Sequence, residues 1–370
     1  MPRKASPNVA TENALITPRI DAVCGGGLSL AVALIVIVYG SISTVGMDKM
    51  LIAVSAYLFT DLLINGPHFM ASYRVLYSRR ANFRHYPVVT IVAPILAFSF
   101  LAYVFAWCLE VDSSDVGETP ANQLGVMIVL NWLAPVLLGW HYVGQSWGAT
   151  ACFAYLSGFK MSVTHRRLVR CGFYALFVYH VTWACATMGL LESWFPQNQA
   201  GAYLMKSLMH VCRVAVLICF LMGLWGFRLM SIEAGRRVPA KVWLPWVATF
   251  SWYVMVDIYP QSFFLLQVFH ALQYLMFPAR VELNEHVKQG RPGMHMMIYY
   301  VALVVIGFVV FEWTQILQWT LTPTFPSQFL FLGTATMMMV NIHHYFIDAV
   351  IWKIRDPDVR RAVFGHIETS

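Results

Sequence analysis

Two histidines and an aspartate interrupt an otherwise apolar run, Met339 to Lys353, near the end of this 370-residue chain. Ionisable side chains inside such runs are rare and mark functional positions. At helical spacing Asn341, His344 and Asp348 share one face, and His344 and Asp348 are one turn apart, while His343 points roughly 100° away. A neutral imidazole can ligate a metal through one nitrogen while a carboxylate orients the other, so a His-Asp pair one turn apart suits a metal centre. The plainer role for the same residues is hydrogen bonding between packed helices.

Three further stretches repeat the pattern. In Asp61-Leu62-Leu63-Ile64-Asn65-Gly66-Pro67-His68 the aspartate and histidine are two turns apart on one face, and Pro67 frees a carbonyl one turn back. His141 has Gln145 one turn on, and Gln267, His270 and Tyr274 share a face. The sequence thus nominates His68, His141, His270, His343 and His344 as metal ligands. Asp348, Tyr274 and Asp61 are the residues that act around them, the two carboxylates offsetting positive charge in a medium of low dielectric constant. Diiron sites of the ferritin type need several inward glutamates, and none lies near these histidines. There is no H-E-x-x-H and no H-x-x-x-H box. Histidine with one or two carboxylates suits non-haem iron and oxygen chemistry, with copper or zinc as alternatives.

The elements that must carry these residues follow from composition. Hydrophobic residues make up 59% of the chain and charged residues 12%, and the mean hydropathy is +0.61. Soluble domains carry roughly 25% charged residues, so this is an integral membrane protein. The net charge of +7 is spread in short clusters between apolar runs, which argues for membrane orientation and against a nucleic-acid partner. The seven cysteines form no C-x-x-C pair and read as small apolar residues.

Runs long enough to span, about 20 residues each, fall at approximately 23–45, 50–74, 88–109, 123–146, 170–191, 203–227, 242–259, 261–279, 295–318 and 327–352. With the N-terminus inside, 22 of the 25 Lys and Arg fall in inner segments, the exceptions being Lys49, Lys206 and Arg213. The fold class expected is all-α: a polytopic helix bundle of about ten transmembrane helices in the cytoplasmic or inner cell membrane, both termini inside. It forms a single transmembrane domain over 1–370, with 1–22 a cytoplasmic segment that is not a cleaved signal and 354–370 a cytoplasmic tail. The stretch 123–158 is expected to break into a span and a re-entrant or interfacial piece, because it holds Gly144, Gly148 and Gly158. On this topology His68, His270 and His343 lie roughly 9–15 Å inside the inner boundary, at about 1.5 Å per residue. A second polar set, His180, Lys206, His210 and Arg213, lies in the outer half with Glu192, Asp257 and Glu312 as acidic partners. It is either an ion-pair network, a proton path or an anionic head-group site.

Four motifs in order, Gly66-Pro67-His68, Trp140-His141-Tyr142-Val143-Gly144, Val268-Phe269-His270 and His343-His344-Tyr345-Phe346-Ile347-Asp348, resemble those of the bacterial and archaeal β-carotene-cleaving dioxygenases of the Brp/Blh type. The resemblance implies a multi-pass membrane enzyme that holds non-haem iron on isolated histidines and cleaves a lipophilic polyene with dioxygen. Two positions depart from the family: its Pro-His-Gly-x-x-Asp becomes Pro67-His68-Phe69-Met70-Ala71-Ser72, and Tyr274 stands where the family has a second histidine. Two other classes remain open, a haem-b electron-transfer protein with facing axial histidines and an ion or small-molecule transporter with the same cluster at its midplane.

Overall fold

The computed structural model describes residues 13–42, 60–110, 125–187, 199–286, 292–321, 328–354 and 356–368. Among them every regular element is helical and no strand occurs. In chain order the α-helices are α1 (Pro18–Ala22), α2 (Leu28–Ile42), α3 (Gly66–Ser78), α4 (Ala81–His85), α5 (Ala93–Glu110), α6 (Gly125–Leu156) and α7 (Val163–Thr187). There follow α8 (Gln199–Glu233), α9 (Ala240–Ile258), α10 (Phe263–His286), α11 (Pro292–Leu321), α12 (Gln328–Ile351) and α13 (Pro357–Glu368). Short π-helical turns at Val23–Gly27, Asp61–Asn65 and Val88–Val92 precede α2, α3 and α5.

Six helices among the described residues are long and apolar enough to cross a membrane: Pro18–Val38, Val88–Trp107, Val163–Thr187, Ala200–Glu233, Pro260–Glu285 and Gly293–Trp313. Their outer faces are what lipid contact requires: Phe98 is 73% exposed, and Ile35, Leu96 and Val211 are each 64% exposed. Three more of the expected spans, 50–74, 123–146 and 327–352, begin outside the described residues, and the fourth, 242–259, coincides with α9.

One expectation is overturned. Residues 125–156 form one uninterrupted helix of 32 residues, with Pro135 inside it, and no re-entrant piece. Gly144 and Gly148 keep helical geometry, and the chain turns only at Gly158, whose φ of 71° is the left-handed conformation that favours glycine. The Gly158 and Phe159 N–H groups there bond back to the Tyr155 and Ala154 carbonyls. His141 is therefore held on a continuous helical rod.

The chain divides into two compact units. The first comprises Met1–Met47, Gly139–Arg280 and Val363–Ser370. Within it α7 packs along α8, and α9 packs against α2 and the π-turn before it. Trp246 of α9 is fully buried, stacks on Phe220 with ring centroids 5.0 Å apart, and donates its indole N–H to the Val169 carbonyl at 3.1 Å. A polar thread ties the interior together: Thr249 donates to Ser146 at 2.8 Å, Ser146 to Gln273 at 3.3 Å, and Gln273 to the Gly25 carbonyl at 2.8 Å. Each bond is worth about 0.5–1.5 kcal/mol net, and losing one buried partner costs more than that. The thread therefore fixes the rotation of the helices carrying His141 and His270. Near the chain ends, Asp21 accepts the Leu15 and Ile16 N–H groups, Lys241 and His366 reach the Asn13 and Ala14 carbonyls, and Arg280 the Leu15 carbonyl.

The second unit comprises Asp48–Leu138 and Val281–Ala362. Here α3 packs against α11 and α12, and α5 against α12. A Cβ on Gly307 would lie 2.9 Å from the Gly66 carbonyl carbon, so α11 and α3 meet backbone to backbone at the two glycines. Pro67 has no N–H to offer Leu63, and the Leu63 carbonyl instead accepts the Tyr300 hydroxyl of α11. The helix opens there into a π-turn in which the Gly66 N–H bonds to Asp61, five residues back. Leu76, Val89, Ile347 and Ile351 form a buried cluster that seats α12 beside α3.

Candidate metal centre

In the first unit the nominated ligands are His141 and His270. Both are buried, at 8% and 2% exposure, and their Nε2 atoms face each other at 3.0 Å. Adjacent ligands on an ion bound at about 2.0–2.1 Å lie about 2.9–3.4 Å apart, depending on coordination angle, so this spacing suits two nitrogens on one ion. The alternative is a direct N–H···N hydrogen bond. Gln145, one turn after His141, donates to the backbone carbonyl of His270 at 2.9 Å, which locks the pair together through the main chain. The Tyr142 ring lies 4.7 Å from that of His270. Tyr274, one turn beyond His270, is 1% exposed.

In the second unit the pair is His68 and His344, at 1% and 0% exposure, their rings edge to face at 4.4 Å between centroids. The surroundings set the nitrogen each can offer. His68 Nδ1 lies 3.3 Å from the Asn65 carbonyl and donates to it, which directs the lone pair to Nε2. Asn65 in turn donates from its side chain to Asp61 at 2.7 Å, so Asp61 supports His68 through Asn65. His344 Nε2 lies 3.4 Å from Asp348, as the one-turn spacing predicts. The other Asp348 oxygen accepts the Ser72 hydroxyl at 3.2 Å. Ser72 of α3 thus joins the carboxylate of α12 to the helix that carries His68.

Each unit thus holds one buried histidine pair that could contribute ligands to a metal ion, His141 with His270 in the first and His68 with His344 in the second. His343 is placed elsewhere. Its Nδ1 accepts from the Tyr73 hydroxyl at 2.9 Å and its Nε2 donates to the Val89 carbonyl at 2.8 Å, so its two nitrogens join α12 to α3 and to the π-turn before α5. Two histidines outside the nominated set face glutamates: the buried His165 lies 3.1 Å from Glu233 and the partly exposed His295 lies 2.8 Å from Glu282. In the second polar set Arg213 forms a forked pair with Asp257 at 2.8–3.2 Å, the ion-pair arrangement, while His180 Nδ1 meets the Tyr253 hydroxyl at 3.0 Å. Glu192 lies outside the described residues.

Tyr142, Ser72 and Tyr73 are the contacts that sequence reasoning did not nominate. Tyr142 reads as one more aromatic in an aromatic-rich chain, and Ser72 and Tyr73 matter only through partners about 270 residues away. No family model, curated protein or solved structure matches the chain.

Proposed function

We propose that this chain is an intramembrane histidine-ligated metal enzyme, a non-haem iron oxygenase acting on a lipophilic substrate with dioxygen. The observation that carries the reading is the two buried histidine pairs, His141 with His270 and His68 with His344. His141 and His270 through Nε2, His68 through Nε2 and His344 through Nδ1 would hold one ion. Four neutral nitrogens around a divalent ion leave its charge uncompensated in a medium of low dielectric constant, and Asp348 on His344 is the nearest compensator. Iron bound there would supply the redox centre at which dioxygen is activated. The protein's own part is to fix the ligand nitrogens from several helices and to exclude water from them.

The fit disfavours haem. Axial nitrogens on opposite faces of a porphyrin stand about 4 Å apart at metal-nitrogen distances near 2.0–2.1 Å. The 3.0 Å spacing of His141 and His270 leaves no room for the ring between them. The resemblance to Brp/Blh-type dioxygenases, resting on four motifs, points to a carotenoid-like polyene as the substrate.

Metal analysis and an optical spectrum of the protein purified in detergent test this reading. One iron per chain without a Soret band is expected. A Soret band would replace it with the haem reading, and an absence of bound metal after reconstitution would end it.

The topology proposed with this function is ten spans with both termini in the cytoplasm, supported by the sorting of basic residues. Reporters fused at Ser113 and Ser370 are expected to lie on opposite sides of the membrane. Finding both on one side overturns the ten-span arrangement.

A further inference from the structure

The first unit contains a groove of about 500 Å³ walled by α2, α7, α8 and α9. Its size is that of a small-molecule pocket, which runs about 300–1,000 Å³. The walls are almost wholly apolar, with Leu34, Leu217, Phe220 and Val254 among them. At one end they meet Arg213, Asp257 and Tyr179. α2, α7 and α8 all belong to helices long and apolar enough to cross a membrane, and in a bilayer the groove between them would open onto hydrocarbon.

The polar end selects the occupant. Arg213 uses Nε and Nη2 on Asp257, and Tyr179 donates to the same carboxylate at 2.6 Å. The two charges cancel. A guanidinium has five N–H donors, so those on Nη1 remain to face a ligand oxygen. An anionic head group would have to sit against the Asp257 carboxylate, and a cationic one against Arg213. A hydroxyl or carbonyl oxygen does neither.

We propose that this groove binds one uncharged single-chain lipophile, its terminal hydroxyl or carbonyl accepting from Arg213 and its chain lying along Leu217, Phe220 and Val254. A chain of packed side chains joins the groove to His270. Tyr253 lines it and bonds His180, the His180 ring lies 6.3 Å from Tyr142, and Tyr142 lies 4.7 Å from His270. As a substrate site the groove rests on the metal-enzyme reading; as a binding site it does not.

The test is photolabelling of the full chain in phosphatidylcholine nanodiscs with a 16-carbon alcohol carrying a diazirine, with adducts mapped by mass spectrometry. Adducts are expected to concentrate at Leu217, Phe220 and Val254. Hexadecanol should compete at least about 10-fold better than palmitate, the margin that one unfavourable charge contact of about 1.4 kcal/mol gives. Leu217→Trp, a change at a side chain 58% exposed, should abolish the focus of labelling. The double variant Arg213→Gln with Asp257→Asn should erase the preference for hexadecanol over palmitate. Even labelling of all lipid-facing helices, or no competition, means bulk lipid covers the groove and overturns the proposal. Palmitate competing as well as hexadecanol against the unaltered protein overturns it in favour of an anionic lipid. Iron content measured on the same samples separates the two readings: focused labelling without iron sinks only the metal enzyme, and diffuse labelling with iron intact sinks only the groove.

Discussion

Replacing His270 by alanine is expected to release the metal entirely, and replacing His68 by alanine is expected to do the same. A four-ligand site binds with about 10–16 kcal/mol in structural zinc peptides, or roughly 2.5–4 kcal/mol per ligand. One lost ligand then weakens binding by about 60- to 800-fold, enough to empty the site through purification. The two residues belong to different pairs, His270 with His141 and His68 with His344. If both pairs serve one ion, either change removes all of the metal; if each pair binds its own, each change leaves half. Retention of half of the original metal, one of two ions per chain, would therefore sink the shared centre while sparing a pairwise one. His343→Ala supplies the control. It removes the partner of Tyr73 and of the Val89 carbonyl, costing about 1–3 kcal/mol per stranded buried group, yet the metal should stay. Loss of metal in that variant, with the protein still folded by size exclusion, would place His343 back among the ligands.

How far the site was legible in advance depends on distance along the chain. The four helices that carry it could be read because a lone histidine in an apolar run stands out against a lipid background, and because an i, i+4 pair such as His344 and Asp348 is a local geometric fact. Choosing between His343 and His344 was not local. Adjacent residues differ by about 100° on a helix, and either face serves until it is known that Tyr73 and Val89 lie against one of them. Pro67 announced an opening of its helix, and the π-turn Asp61–Asn65 is that opening. Nothing comparable announced the π-turn at Val88–Val92, which is apolar or β-branched throughout and rests on the His343 contact to Val89. Glycine misled in α6. Gly144 and Gly148 suggested a break, but a helix inside a packed apolar bundle keeps its hydrogen bonds because water offers no replacement, and the glycines stay helical. The thread from Thr249 through Ser146 and Gln273 to Gly25 joins four separate segments, so it was invisible to any reading by windows.

Asp348→Asn is expected to lower metal affinity by about 10- to 100-fold while leaving the fold intact. Shape is preserved in that change, and the amide can still accept the Ser72 hydroxyl, so what is lost is the negative charge facing His344 Nε2 at 3.4 Å. The carboxylate holds the Nε2 proton and thereby keeps the lone pair on Nδ1; an amide placed there with its NH₂ toward the ring would favour the opposite tautomer and turn the lone pair away from the ion. Ser72→Ala should weaken the metal less, because Asp348 keeps both its charge and its place one turn from His344. Tyr274→Phe divides two roles for the Tyr274 hydroxyl: a small loss of affinity means that it only positions its neighbours, and a loss as large as that of His270→Ala means that it ligates. Unchanged metal content and spectra in both Asp348→Asn and Tyr274→Phe, with His68→Ala still emptying the site, would remove these two residues from the centre and leave the histidines alone to account for it.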